Sequence, residues 1–383
     1  MSRTALILGA GVGGLVAANR LRRRLPRDHR VVLIERSPRS EFQPSLLWVA
    51  DGSRDPGRIG RPIARLERKG IEVIIGDIEV IDPHERKATV GGVVHRGDAM
   101  ILALGAELRP DLIPGLAEAG HNLYEIQGAR RIRETLGSRW SGRLVVLTAT
   151  PAYKCPAAPY EAAMLLDAVL RRQGTRAESS VEFFAAESGP MGVAGPAVSA
   201  GVRDMLESRG VVYRPGCQVT EVLPAKRELL FSDGSSAGFD LLVYIPPHRA
   251  PAVVREAGMV AESGWVSVDR SSLATRFDMV FAIGDVTSVP LAMGKPLPKA
   301  GVFAHGQGMV VADNLAAEWT GSSSRRAFDG HGSCFVEVGG GRAAYGVGNF
   351  YAEPTPQVAL KMPARRWHWG KVLLERYWLS KWF

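Results

Sequence analysis

With 383 residues, 46% of them hydrophobic and 23% charged, the chain has the balance of a folded protein of two or three domains, which excludes a disordered polymer. Three cysteines, Cys155, Cys217 and Cys334, are too few for a disulfide framework and match no zinc spacing, and no charge-free apolar run reaches the roughly 18 residues that span a bilayer. The +9 formal charge is uneven: from Lys361 to Phe383 six basic residues face one acid, Glu375, a bias that suits an anionic surface.

The first element is the apolar run Ala5-Leu6-Ile7-Leu8, a buried-type strand entered without a signal-peptide pattern, so a cytoplasmic protein is expected. Gly9-Ala10-Gly11-Val12-Gly13-Gly14 follows, and a helical pattern runs on through Leu15, Ala18, Leu21 and Leu25. This is GxGxxG in the context that gives it meaning. Gly9 permits the tight turn, Gly11 lets the backbone approach a pyrophosphate, and Gly14 lets the helix pack close to the strand. The next apolar run, Val31-Val32-Leu33-Ile34, ends in Glu35, 21 residues beyond Gly14, where an acid can accept from a ribose diol and would repel a 2′-phosphate. A dinucleotide site is therefore expected.

Two later strands end in small-residue turns: Ala99 to Leu104 at Gly105, and Met279 to Ile283 at Gly284-Asp285. Similar elements occur in two-dinucleotide flavoproteins, which favours FAD over NAD as the first ligand; Asp285 reads equally as a turn acid. Between them lies a second α/β unit, with a strand at Leu144 to Thr148, a helix from Tyr160 to Arg172 and a strand at Val181 to Ala186. Its connecting loop, Ala149 to Pro159, holds Pro151, Pro156 and Pro159 and no glycine. Proline removes an amide donor and fixes φ, so this loop is a poor cradle for a second pyrophosphate. Residues 211 to 247 read as β-rich, and Cys217 among them as structural. Leu297-Pro298-Lys299-Ala300-Gly301 then opens a helix, where Lys299 stands ready to place positive charge near a reduced flavin or simply to sit in solvent. The tail carries Trp367, Trp369, Trp378 and Trp382 among its basic residues, a composition suited to lipid headgroups. A C-terminal helix docked on its own protein is the alternative. Nucleic acid is not expected as a partner, because no binding fold is recognisable.

Taken together these residues resemble the sulfide:quinone oxidoreductases. The resemblance rests on Gly9 to Gly14 with Glu35, Phe42-Gln43-Pro44-Ser45-Leu46-Leu47-Trp48, Lys154-Cys155-Pro156-Ala157-Ala158-Pro159-Tyr160-Glu161, Ile283-Gly284-Asp285, Pro298-Lys299-Ala300-Gly301, Cys334 before Phe335-Val336-Glu337, and Lys371 through Leu379. It implies an α/β fold of two Rossmann-like domains of the glutathione-reductase type plus a C-terminal membrane-associating segment. Residues 1–109 and 251–318 would form a discontinuous FAD domain, 110–250 a second domain carrying Cys155, and 319–383 a region with Cys334 and the tail. It also implies Cys155 and Cys334 as a redox pair, Glu161 as a proton-transfer carboxylate, and Gly9, Gly11, Gly14, Glu35, Gly105, Gly284, Asp285 and Lys299 around FAD. Sulfide would be the substrate and a quinone the acceptor, with peripheral attachment to the cytoplasmic face of a membrane and homo-oligomerisation left open. Many members of the family carry a third cysteine upstream of Lys-Cys-Pro, and this chain has none before Cys155. A two-cysteine arrangement also resembles the flavoprotein subunit of flavocytochrome c sulfide dehydrogenase, which passes electrons to a cytochrome. A type II NADH:quinone oxidoreductase is the third reading, opposed by the proline-rich loop.

Overall fold

The computed structural model describes residues 2–383. Ten parallel strands organise it: β1 (Thr4–Leu8), β2 (Arg30–Glu35), β3 (Glu72–Ile75), β4 (Ala99–Leu102), β5 (His121–Asn122), β6 (Arg143–Thr148), β7 (Ser180–Ala185), β8 (Val212–Pro215), β9 (Leu241–Ile245) and β10 (Val280–Ala282). They form two five-stranded sheets, β10-β4-β1-β2-β3 and β5-β9-β6-β7-β8. The central strands are apolar over most of their length because helices and loops cover both faces, as parallel crossovers require. β10 joins its sheet beside β4, so the first sheet is completed only after the second has been threaded. Two-residue strands at Glu107–Leu108 and His248–Arg249 pair antiparallel where the chain crosses between the sheets.

Four helices position the site. α1 (Val12–Arg24) follows β1, α2 (Ala158–Gln173) follows β6, α3 (Gly301–Trp319) packs on α1, and α4 (Arg365–Lys381) closes the chain. A three-stranded antiparallel sheet, β11 (His331–Gly339), β12 (Arg342–Asn349) and β13 (Gln357–Ala364), leads into α4. β11 lies against α2, which brings the 334 region to the start of the helix that follows the 155 loop.

The Trp-rich tail is a docked helix. Val372 packs in the core beneath the second sheet, while Trp378, Leu379 and Trp382 pack in that of the first, against Phe42 and His305. Lys371 and Glu375, which the composition of the tail assigns to a basic surface, are buried. The opposite face leaves Trp369, Leu373 and Tyr377 exposed by 59%, 61% and 52%. Among the described residues, no helix is long and apolar enough to cross a membrane.

Candidate active site

The loop between β6 and α2 reverses tightly, and Cys155 takes the turn at φ +51, a left-handed conformation rarely adopted by a side-chain-bearing residue. Its N–H donates to the Lys299 carbonyl at 2.6 Å, and its carbonyl accepts the Ala158 N–H at 3.0 Å, the start of α2. From the other side the Tyr124 hydroxyl donates to the carbonyls of Lys154 at 2.7 Å and Cys155 at 3.1 Å. Cys334 stands on β11 opposite Gly346 and packs against the same apolar cluster as Cys155. Burial pushes Cys155 up to about 12, with the Glu161 carboxylate adding to the rise and Lys371 opposing it. Burial also pushes Cys334 well above the usual thiol range, and the neighbouring Cys155 and Glu161 push the same way.

Behind the cysteines lies a chain of buried charges. Glu161, on the first turn of α2, accepts the Glu337 N–H at 2.9 Å and forms an ion pair with the Lys371 ammonium, both side chains being nearly sealed from solvent. Burial alone would lower Lys371; the Glu161 and Glu337 carboxylates outweigh it and hold the ammonium charged. Glu337 is raised by burial, and His368 lies with Nδ1 3.0 Å from its carboxyl. A helix-dipole role for Glu161 is thus secondary to a partner at close range. Lys371 and Glu337 are part of the family pattern in the sequence but their roles escape it, because Lys371 looks like one more base in a basic tail. The signal is positional: Lys371, Val372, Glu375, Trp378 and Leu379 fall on one stripe of α4, so its charges alternate with apolar residues that must face inward.

The nucleotide loop has the geometry its glycines suggest. A Cβ at Gly14 would fall 1.9 Å from the Gly9 carbonyl oxygen, so that position is fixed by packing of helix on strand. At Gly11, in contrast, a Cβ would meet only the Ala103 oxygen at 3.9 Å, and at Gly105, φ +68, it would meet nothing within 4 Å. The protein itself leaves room there, as an approaching pyrophosphate requires, so the residues fit a dinucleotide. Glu35 closes β2, and its carboxylate accepts the Ala10 N–H at 2.7 Å and the Ser37 N–H at 3.1 Å. Across the sheet, the Gly284 N–H donates to Gln307 at 2.7 Å. Burial raises Asp285, against the lowering effect of Lys154 and Lys299. Lys299 is not solvated: its ammonium donates to the carbonyls of Asp285 and Thr287 at 2.8 Å each and lies 3.4 Å from the Trp265 ring centre. Burial brings it down to about 8. Cys217 takes no part, packing in a separate cluster beside the β-rich segment with its thiol 3.8 Å from the Pro215 carbonyl.

Residues 3–308 match the family model described as pyridine nucleotide-disulphide oxidoreductase. The chain is similar to the mitochondrial sulfide:quinone oxidoreductase of Mus musculus, 26% identical over 364 residues covering 91% of this chain and 78% of that protein. It is 28% identical over 402 aligned residues to the sulfide-quinone reductase of Aquifex aeolicus, covering 100% and 91%. The X-ray structure of the sulfide:quinone oxidoreductase from Aquifex aeolicus superposes with a TM-score of 0.89 at 24% identity, covering 100% of this chain and 91% of that one, which establishes the shared fold.

Proposed function

The chain belongs to the pyridine nucleotide-disulphide oxidoreductase family, and from that premise we propose that it oxidises sulfide at a Cys155–Cys334 pair and passes the electrons through FAD to a membrane quinone. The observation that supports the reading is that these two cysteines, far apart in sequence, pack against one apolar cluster beside the Glu161–Lys371 ion pair, whose two charges both act on each thiol. The names of the mouse and Aquifex relatives support the substrate and acceptor. The proline-rich loop where a second nucleotide would need glycines opposes NADH.

With the pair bridged by a sulfur–sulfur bond, hydrosulfide attacks one sulfur, forming a new bond to it as the old bond breaks. One cysteine becomes a persulfide and the other leaves as a thiolate carrying the electron pair. A buried thiolate is costly, and Lys371 is the cation that lowers both cysteines. Glu161, within hydrogen-bond reach of that ammonium, would be the proton-transfer carboxylate for the incoming sulfide. FAD, which Gly9, Gly11, Gly14, Glu35, Gly105, Gly284, Asp285 and Lys299 would hold, would supply a two-electron acceptor for the thiolate and persulfide and a donor to the quinone; loss of two electrons and the persulfide proton joins the two cysteines through the added sulfur as a trisulfide, which keeps that sulfur on the protein for the next hydrosulfide to attack. Cytoplasmic-face attachment is assigned to the exposed Trp369, Leu373 and Tyr377 face of α4, flanked by Arg366, Arg376 and Lys381.

Anaerobic sulfide should bleach the flavin spectrum and a short-chain quinone should restore it. Cys155→Ser and Cys334→Ser should abolish the bleaching, and Cys217→Ser should leave it intact. Bleaching by NADH and not by sulfide would overturn the proposal.

A further inference from the structure

The second sheet repeats the plan of the first with a different outcome. In the first, Glu35 ends β2 beside the glycine loop, and the space over Gly11 stays open. In the second, β6 and β7 run parallel with Thr148 opposite Ala185, and Glu187 follows two residues beyond, beside the loop that carries Cys155. This acid faces no open slot. Tyr153 donates its hydroxyl to Oε1 of Glu187 at 2.5 Å, Tyr160 donates to the same oxygen, and Thr148 Oγ1 donates to Oε2 at 2.7 Å. Both phenols are buried, at 8% and 0% exposure, and the Tyr160 ring packs on Phe183 at 4.9 Å.

The two tyrosines stand on either side of the cysteine, Tyr153 two residues before it and Tyr160 five after. One carboxylate therefore gathers both shoulders of the loop. The peptide between them must reverse, and the left-handed backbone falls on Cys155 itself. Such a conformation is unfavourable for a residue with a side chain and persists only where the surroundings impose it. Tyr124 and the Lys299 carbonyl hold the loop from above, and Glu187 holds it from below.

We propose that Glu187 is a positioning residue: by tying Tyr153 to Tyr160 it keeps the Cys155 loop in the strained conformation that turns the thiol toward Cys334. The acid that a second nucleotide ribose would need is spent on this clamp, and two phenols fill the slot. The inference rests on the reading of Cys155 as a reacting thiol, but its geometry can be tested apart from turnover.

The test uses the FAD-loaded protein with its cysteines reduced beforehand and the reductant removed, and compares Glu187→Ala with Glu187→Gln, which keeps an acceptor oxygen for both phenols. Maleimide modification is followed by peptide mass spectrometry at Cys155, with Cys217 in the same sample as reference. Glu187→Ala should raise the Cys155 to Cys217 rate ratio about tenfold, as the loop opens locally. Glu187→Gln should stay within about threefold of the unaltered chain. Sulfide-dependent bleaching should slow on the order of tenfold in Glu187→Ala with quinone-dependent recovery unchanged, a split that general loosening does not produce. An unchanged ratio, or equal acceleration at both cysteines, overturns the positioning role. If Glu187→Ala does not fold, Tyr153→Phe removes one donor and keeps the ring, and its ratio should rise severalfold; no rise overturns the proposal. Should the unaltered protein fail to oxidise sulfide, the functional reading falls and the alkylation ratio still decides the role of Glu187.

Discussion

Lys371 and Glu161 are each nearly sealed from water, so their ion pair gains little over an apolar pair of equal shape but is costly to break from one side. Lys371→Met should cost about 3–5 kcal/mol in chemical denaturation, and adding Glu161→Gln should recover much of that loss. The cysteines bear the same environment as chemistry. With Cys155 held at about 12, the reduced protein carries thiol and almost no thiolate at pH 7. Its reaction with iodoacetamide should climb about tenfold per pH unit from 7 to 10 without a plateau. A plateau near pH 8 would mean that Lys371 outweighs burial. The two cysteines are legible in the sequence as candidates only. Nothing in the spacing of Cys155 and Cys334 says that they share a cluster, because that is brought about by β11 lying on α2, a tertiary event with no local signal.

The helix α4 divides its sides between protein and solvent. Trp378→Ala should destabilise by about 3–5 kcal/mol, since that ring fills the core beside Phe42. Leu373→Glu with Trp369→Glu should leave the melting temperature nearly unchanged and release the protein from vesicles of anionic lipid, with residual binding weakening as salt rises. Unchanged vesicle binding by the double variant would end the membrane assignment of that face. The helix itself is legible from composition, but its orientation is not. The usual rule sends charges outward, and here Lys371 and Glu375 point inward, Glu375 onto Ser45 at 2.6 Å and Arg54 at 2.9 Å.

Across the whole molecule, the first sheet is the most readable part. Strand, glycine loop, helix and Glu35 are consecutive, so local pattern and tertiary role coincide. Asp285 is harder, because β10 returns to that sheet after the second sheet is complete, and only the Gly-Asp turn hints at it. Because FAD would bind across these distant segments and not to the unfolded chain, thermal stability should depend on its concentration. Free FAD at about 100 times its dissociation constant should add roughly 2.7 kcal/mol, read as a rise in melting temperature over the stripped protein. The Glu161–Lys371 pair carries a further meaning in the order of synthesis. The two partners are 210 residues apart, so at roughly 5–20 residues per second a ribosome makes the cysteine loop some 10–40 seconds before the cation that completes it. Until α4 arrives, Glu161 has no buried partner and the cysteine pocket lacks its wall. The cysteine loop is thus made well before the cation that opposes the rise of its thiol.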